Sequence, residues 1–543
     1  MWARTLRPLR TRVHRTVLFS RRYNGQPQEP HTTYFQQPPA PKPRAKILRS
    51  VLFGTTCFAL GAYGYSWLMD QEDLAAMGVM VEEGSPEAQQ FSDALRVSAQ
   101  DTTARLVPIM DLQRAQDMLE MGAGYSLTKT AVGHNAQLAS NMPCEDVMSS
   151  GIYGMFQDPM RDWSNWTILD GHAGPKTAEV LRESLPLYVG GDLWDAKSMD
   201  RPYTPNDFQI ISTIKKAFHR LDIEILQRAS LRVHSGEDDL ALTIAATTTA
   251  LSGSCALMAL FDPARSVLRV ANTGDSRAVL GRWDGQEGKY VAQAMSVDQT
   301  GFNPEEVERL RREHPDEDVV DPKTGRVLGI AVSRAFGDSR WKWPDEMSRK
   351  VYEKFWGPAP RPNGVVKTPP YLTAEPEIME TQVQGGEHPD FLIMASDGLW
   401  DNMSSDDAVT CVQQWLDKYE PTKFMEPKPI DPAAAGPPGL PFDRANRRAI
   451  TEYQPDFTYD PNADDDTYWD EAERTMKWRV SPKHFIVEDE HCGIHLIKNA
   501  LGGKRRNLFR GIMSMQPPRS RHVRDDISVQ VIFFGLDVKE DIV

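Results

Sequence analysis

Cysteine is scarce in this chain. Its 543 residues hold five, at positions 57, 144, 255, 411 and 492, with an odd total and no Cys-x-x-Cys pair. That spacing excludes a disulfide framework and a thiolate zinc site, and leaves buried free thiols as the plain reading. None of the five has an Arg six positions downstream, so a Cys-x5-Arg phosphate-binding nucleophile loop is excluded as well. Internal repeats are missing. Acids are almost missing from residues 1–49, which hold 11 Lys/Arg and only Glu29, and charge of either sign is missing from residues 50–69. From position 70 onward the balance reverses to 51 basic against 75 acidic residues, within a formal net charge of −14. So acidic a body does not work mainly on a phosphate backbone, and no nucleic-acid partner is expected.

These gaps divide the chain. MWARTLRPLRTRVHRTVLFSRR sets seven Arg among apolar residues with no acid, which predicts a mitochondrial presequence within 1–49, followed by the Pro-rich spacer QQPPAPKPRAK. A basic nuclear or nucleic-acid patch is the alternative. SVLFGTTCFALGAYGYSWLM, Ser50 to Met69, is long enough as a helix to cross a ~30 Å hydrocarbon layer and predicts a transmembrane helix. Its Gly, Ser and Thr make it only moderately apolar, so a buried soluble helix is the rival. Lys42, Arg44, Lys46 and Arg49 precede it; Asp70, Glu72 and Asp73 follow. In the inner membrane this charge bias places the body in the intermembrane space, with the matrix as the alternative.

Residues 70–120 read as a helical or linker segment, and 121–543 as the main domain. CALMALFD (255–262), SVLRVANTG (266–274), DSRAVLGR (275–282), DFLIMASDG (390–398) and ISVQVIFF (527–534) are apolar or alternating runs that predict strands. PKTAEVLRESL, PEEVERLRRE and SDDAVTCVQQWLDKY carry helix start signals. Hairpin-clustered strands with helices between them favour an α+β fold over a parallel sheet, as a four-layer α-β-β-α sandwich of two antiparallel sheets flanked by helices. Dense prolines at 421–446 and the acidic run 455–473 predict a solvated loop insertion at about 420–490.

Several acids stand at strand ends or beside glycines: Glu145-Asp146, Asp170, Asp275, Asp397, Asp401 and Asp525. Singly, each reads as a turn or N-cap residue. Asp170, Asp397 and Asp525, however, abut strongly apolar strands, where an unpaired carboxylate is costly. Mg²⁺ or Mn²⁺ relieves that cost through oxygen ligands alone, and two such ions about 3.5–4 Å apart form a hydrolytic site that activates water and clamps phosphate. Gly171 lets a backbone carbonyl approach a metal. His172 follows directly, placed to protonate a leaving oxygen, unless it merely holds the loop.

Glu145-Asp146, Asp170-Gly171-His172-Ala173-Gly174, Ser252-Gly253-Ser254, Gly274-Asp275-Ser276-Arg277, LGIAVSRAFGD (Leu328 to Asp338), Ser396 to Asp401 and Arg524 to Val529 resemble the ordered motifs of the metal-dependent Ser/Thr protein phosphatases of type 2C. The resemblance spans about 125–535. It implies a phosphoserine/phosphothreonine phosphatase with two Mg²⁺ or Mn²⁺ ions and a weaker third, in which a hydroxide held by the metals attacks phosphorus in line. Position by position, it makes Asp170 the bridging ligand, Gly171 a carbonyl ligand and Asp397 and Asp525 further ligands. Glu145 and Asp146 act through waters, and Asp275 and Asp401 serve the third ion. Many eukaryotic members carry a phosphate-gripping Arg where this chain has Asn141, which cannot make the charged bidentate contact. Asn141 in that substrate-binding place, Asp526 where most members have Asn, the FGDSRWKWP run and KTPPYLTAEPEI are similar to the pyruvate dehydrogenase phosphatase subgroup. That suggests the pyruvate dehydrogenase complex as the phosphoprotein partner. The rivals are a phosphatase-like binding module without activity, which the retained carboxylates disfavour, and a phosphatase acting on another client or on a small metabolite.

Overall fold

Period-two alternation builds the centre of the molecule. In Phe391–Ala395 all five residues are buried, Phe391, Ile393 and Ala395 in one core and Leu392 and Met394 in another. Ala256–Asp262 repeats the pattern, with Ala256, Met258 and Leu260 on one side and Leu257, Ala259 and Phe261 on the other. Strands covered on both faces read as continuous apolar runs, and a sheet in the middle of a layered stack makes them so.

The computed structural model describes residues 109–154, 161–199, 206–235, 239–422, 467–470 and 475–535. The expected presequence and the 50–69 span lie outside the described residues. Along the chain come α1 (Leu112–Met121), β1 (Ala123–Leu127), β2 (Ala131–Leu138), β3 (Val147–Tyr153), β4 (Trp163–Leu169), β5 (Gly171–His172), α2 (Lys176–Met199), α3 (Asp207–Ser235), α4 (Leu240–Leu251), β6 (Gly253–Ser254), β7 (Ala256–Asp262), β8 (Val267–Thr273), β9 (Arg277–Asp284) and β10 (Lys289–Ala294). Then follow α5 (Pro304–Glu313), β11 (Phe336–Gly337), α6 (Ser339–Lys342), α7 (Asp345–Phe355), β12 (Glu377–Gln382), β13 (Phe391–Ala395), α8 (Asp397–Trp400), α9 (Ser405–Leu416), β14 (Thr467–Asp470), β15 (Thr475–Trp478), α10 (Cys492–Ala500), α11 (Arg506–Ser514) and β16 (Ile527–Phe534).

The six-stranded sheet runs β1-β2-β16-β13-β9-β10 and the five-stranded sheet β12-β8-β7-β4-β3, all pairs antiparallel. Three cores separate four layers. Trp166, Ile168, Leu257, Leu280, Leu392 and Phe534 fill the space between the sheets. The outer face of the six-stranded sheet packs on α1, α9, α10 and α11, and that of the five-stranded sheet on α2 and α3. At roughly 1.5–3 kcal/mol per fully buried large apolar side chain, these cores dominate the folding energy.

The expected helix at 304–313 forms with those bounds: the Asn303 side chain accepts from Glu305 N, Pro304 opens the helix, Glu305 and Glu306 stand in the first turn, and Arg311 and Arg312 in the last, each suiting the helix dipole. Four expectations are corrected. The folded body starts before residue 121, because α1 buries Ala115 and Leu119 in the first core. The helix opened by Pro175 runs past Pro186 to Met199, since Leu181, Leu185, Val189 and Leu193 keep one buried stripe that outweighs the proline. The acidic run 455–473 is not loop throughout, because β14 pairs with β15. Finally, the insertion ends well before 490, as Trp478, Val480 and Phe485 already lie in the core. Among the described residues, no helix is long and apolar enough to cross a membrane.

Candidate active site

Topology gathers the acids. Asp170 follows β4, Asp275 follows β8 and Asp397 follows β13, while Asp525 and Asp526 precede β16, which is antiparallel to β13. β4 and β8 both flank β7 antiparallel and so end on the same side. A small third sheet, β11-β6-β5, then ties three distant motifs together: Gly171 pairs with Ser254, and Ser254 with Phe336.

Ligand atoms of Asp170, Asp275 and Asp397 lie within 4.8 Å of one another. Burial raises the pKa of each, and neighbouring acids add to it, while at Asp275 a hydrogen bond from the Cys255 thiol opposes the rise. For Asp170 the raising neighbours are Asp397, Asp146 and Asp275; for Asp397 they are Asp275, Asp401 and Asp146. Asp170 Oδ2 and Asp146 Oδ2 are buried without a hydrogen-bond partner. Asp146 is pushed to about 7, chiefly by burial, against hydrogen bonds from Ser396 and Ser528. Acids so crowded repel one another until a cation joins them, and an all-carboxylate donor set suits a hard divalent ion. The residues therefore fit the metal that the sequence implies. Position 171 must be glycine for a packing reason, because a β-carbon there would stand 2.3 Å from Glu145 O.

His172 is the polar centre of the small sheet. Its Nε2 lies 2.7 Å from Asp338 Oδ2, and Asp338 is buried at 1% exposure. Burial disfavours the charged ring, but the Asp338 carboxylate outweighs it and raises the pKa of His172, with Asp275 and Glu145 adding to the effect. Asp338 sits in the left-handed region at φ 48° and donates its N–H to Ser252 O. Gly253 is required beneath the pair, since a β-carbon there would meet His172 Nε2 at 2.1 Å.

The remaining predicted residues have other surroundings. Glu145 accepts from Gly174 N at 2.5 Å and from Asn141 Nδ2 at 3.1 Å. The Asn141 amide also donates to Asp526 Oδ2 at 3.0 Å, so it bridges two carboxylates. Asp526 accepts from the backbone N–H groups of Ser140, Asn141 and Glu145 as well. Burial would raise its pKa, but these donors outweigh it and hold it below the usual range. The two departures from the family pattern, Asn141 and Asp526, are thus one contact. Asp401 lies exposed one turn beyond Asp397, its N–H on Asp397 O at 2.8 Å. Asp525 is not in the three-carboxylate group and pairs with Arg521.

The acids open into a cleft of about 1080 Å³, walled by Arg277 and Trp400 and by the 302–358 segment, including Phe302, Trp341 and Trp356. Asp298 grips Arg277 at 3.0 and 2.6 Å. Sequence reasoning gave no role to Asp338, Gly253, Asp298 or Arg521. Asp338 carried a signal, an acid after Gly at a strand end within LGIAVSRAFGD.

Residues 134–435 match the protein phosphatase 2C family. The chain belongs to that family. This phosphatase is 36% identical to a protein phosphatase 2C homologue of Schizosaccharomyces pombe, over 73% of this chain and 79% of the relative. It is 34% identical to the mitochondrial [pyruvate dehydrogenase [acetyl-transferring]]-phosphatase 1 of Saccharomyces cerevisiae, over 74% of this chain and 68% of the relative. The Bos taurus protein of the same name is 29% identical, over 61% of this chain and 56% of the relative. A looser likeness, with a TM-score of 0.41 and 13% identity, is to the serine-threonine phosphatase 2C of Toxoplasma gondii, covering 76% of this chain and 96% of that one. The phosphatase is a protein serine/threonine phosphatase of a metal-dependent family.

Proposed function

We propose that this phosphatase is mitochondrial and removes phosphate from serine or threonine of a protein at the Asp170 cleft, using Mg²⁺ or Mn²⁺. The observation that carries this reading is the convergence of Asp170, Asp275 and Asp397 within 4.8 Å beside the His172–Asp338 pair. Asp170 and Asp397, with the Gly171 carbonyl and Asp525, would hold two ions; Glu145 and Asp146 would fix their waters, and Asp275 and Asp401 a weaker third. When bound, the ions supply an acidified water and neutralise phosphate charge. The chain's own residues do the rest. His172, whose pKa the Asp338 carboxylate raises against burial, would give a proton to the departing Ser or Thr oxygen, and Gly253 leaves room for that pair. The cleft is far larger than one phosphoamino acid and admits the chain on either side of it.

The names of the yeast and bovine relatives support the pyruvate dehydrogenase complex as substrate, and with the Arg-rich, acid-poor N-terminal run they support the mitochondrion as location. Anchoring through 50–69 with an intermembrane-space body rests on charge bias alone, whereas a pyruvate dehydrogenase client calls for the matrix. Protease treatment of mitoplasts, probed for the phosphatase body, decides between them. For the chemistry, Asp170→Asn is expected to abolish hydrolysis of a phosphoserine peptide while the circular dichroism spectrum is kept. EDTA is expected to inhibit and Mn²⁺ to restore. Full activity of the purified variant would refute the site.

A further inference from the structure

Asn141 leaves the substrate phosphate without its expected cationic contact. Five arginines line the cleft: Arg277, Arg326, Arg340, Arg521 and Arg524. Arg277 is gripped by both oxygens of Asp298 and lies over the Trp400 ring. Arg524 is buried, with Nη1 on Ala139 O at 2.7 Å. Arg326 and Arg340 reach carbonyls near their own wall, Gly329 O at 3.4 Å and Ala359 O at 2.7 Å. Arg521 differs. It stands on the 3-10 turn Arg519–His522, its side chain is 49% exposed, and it pairs with Asp525, four residues on. Its charge is also felt at Asp397, on the neighbouring strand end. Arg277 also feels Asp275 and Asp401, but Asp298 holds its fork; Arg521 is the more exposed guanidinium beside the reaction-centre carboxylates.

Resting on the reading that these carboxylates hold the metals, we propose that Arg521 grips the substrate phosphate, taking the part that Asn141 cannot. A guanidinium has five N–H donors in a planar fork, and a carboxylate takes two of them. The contact of Arg521 Nη1 with Asp525 Oδ2 fixes the orientation of Arg521 while leaving the Nε and Nη2 donors for phosphate oxygens. The pairing also explains how a half-exposed side chain is kept at the site before substrate arrives.

The test compares the full chain with Arg521→Ala and Arg521→Lys in saturating Mn²⁺. Three quantities are read: KM and kcat for a phosphoserine peptide, competitive inhibition by inorganic phosphate, and Mn²⁺ affinity by calorimetry. Arg521→Ala is expected to raise KM and the phosphate inhibition constant about ten- to hundred-fold, the weight of a charged hydrogen-bonded contact. Mn²⁺ affinity is expected to stay unchanged. Arg521→Lys keeps the charge but loses the fork, and is expected to fall between the two. Unchanged KM and phosphate inhibition in Arg521→Ala overturn the proposal. So does a matching fall in Mn²⁺ affinity, which would mean that Arg521 acts only through Asp525. Wild-type protein that hydrolyses the peptide without any divalent ion overturns the metal-site reading itself, and this inference with it.

Discussion

Gly253 lies under the proton donor, so the smallest possible addition there tests the proposed chemistry. A β-carbon would stand 2.1 Å from His172 Nε2 and 2.3 Å from Asp338 Oδ2, against the ~3.5 Å at which heavy atoms normally touch. Gly253→Ala must push those atoms away by more than about 1 Å, which takes their 2.7 Å contact out of hydrogen-bonding range. A charged hydrogen bond contributes about 1.5–3 kcal/mol, and a positioned general acid about 10²–10⁴ in rate. We expect kcat toward a phosphoserine peptide to fall about 10²-fold, within that range. The assay runs the peptide beside p-nitrophenyl phosphate, whose phenolate departs without needing a proton. Its kcat is expected to change little. Asp338→Asn, which keeps the side-chain shape, should show the same split between substrates, and covers the case in which the alanine perturbs the small sheet. Equal losses on both substrates, or none on the peptide, would refute the proton-donor role of His172.

Away from the site, Glu306 is 1% exposed and held by Arg334 at 2.6 Å and Arg309 at 2.9 Å, which overcome burial and bring its pKa down to about 2. Arg334→Ala leaves that charge half-paired, and urea unfolding should register a loss of roughly 3 kcal/mol; no change would mean the pair is idle. Burial lowers His491 and His495 to about 4 from the ordinary 6.5. Between those values the unfolded chain binds more protons than the folded one. Their contribution is therefore full above pH 6.5 and is lost as the pH falls toward 4, on the order of 3 kcal/mol per ring. Thermal unfolding from pH 7.5 to 4.5 should show that slope, and His495→Gln should flatten it.

Much of this architecture was legible because covered strands and capped helices leave plain patterns. ISVQVIFF forms β16 over the very residues expected, and the Asn303-Pro304 start sets α5 to the residue. The long helix α3 escaped notice because its buried Ile210, Ile214, Phe218 and Leu221 are diluted by charged neighbours on its open side. At the site, acids at strand ends were visible because charge against an apolar run is conspicuous. Partners that act across sequence were not. Asp338 reaches His172 from 166 residues downstream, and no local spacing encodes that contact. Nor does any local spacing reveal that the Asn141 amide meets Asp526, 385 positions away.

The small sheet that joins these distant motifs is made of strands only two residues long. So few ladder bonds give it little cooperativity of its own, and its position is set by the body around it: Phe336 is buried in the core behind the five-stranded sheet, and Gly337 donates its N–H to the buried Asp222, which also holds Lys342. The contact between His172 and Asp338 is therefore as durable as that core, and activity and folding should be lost in one thermal transition.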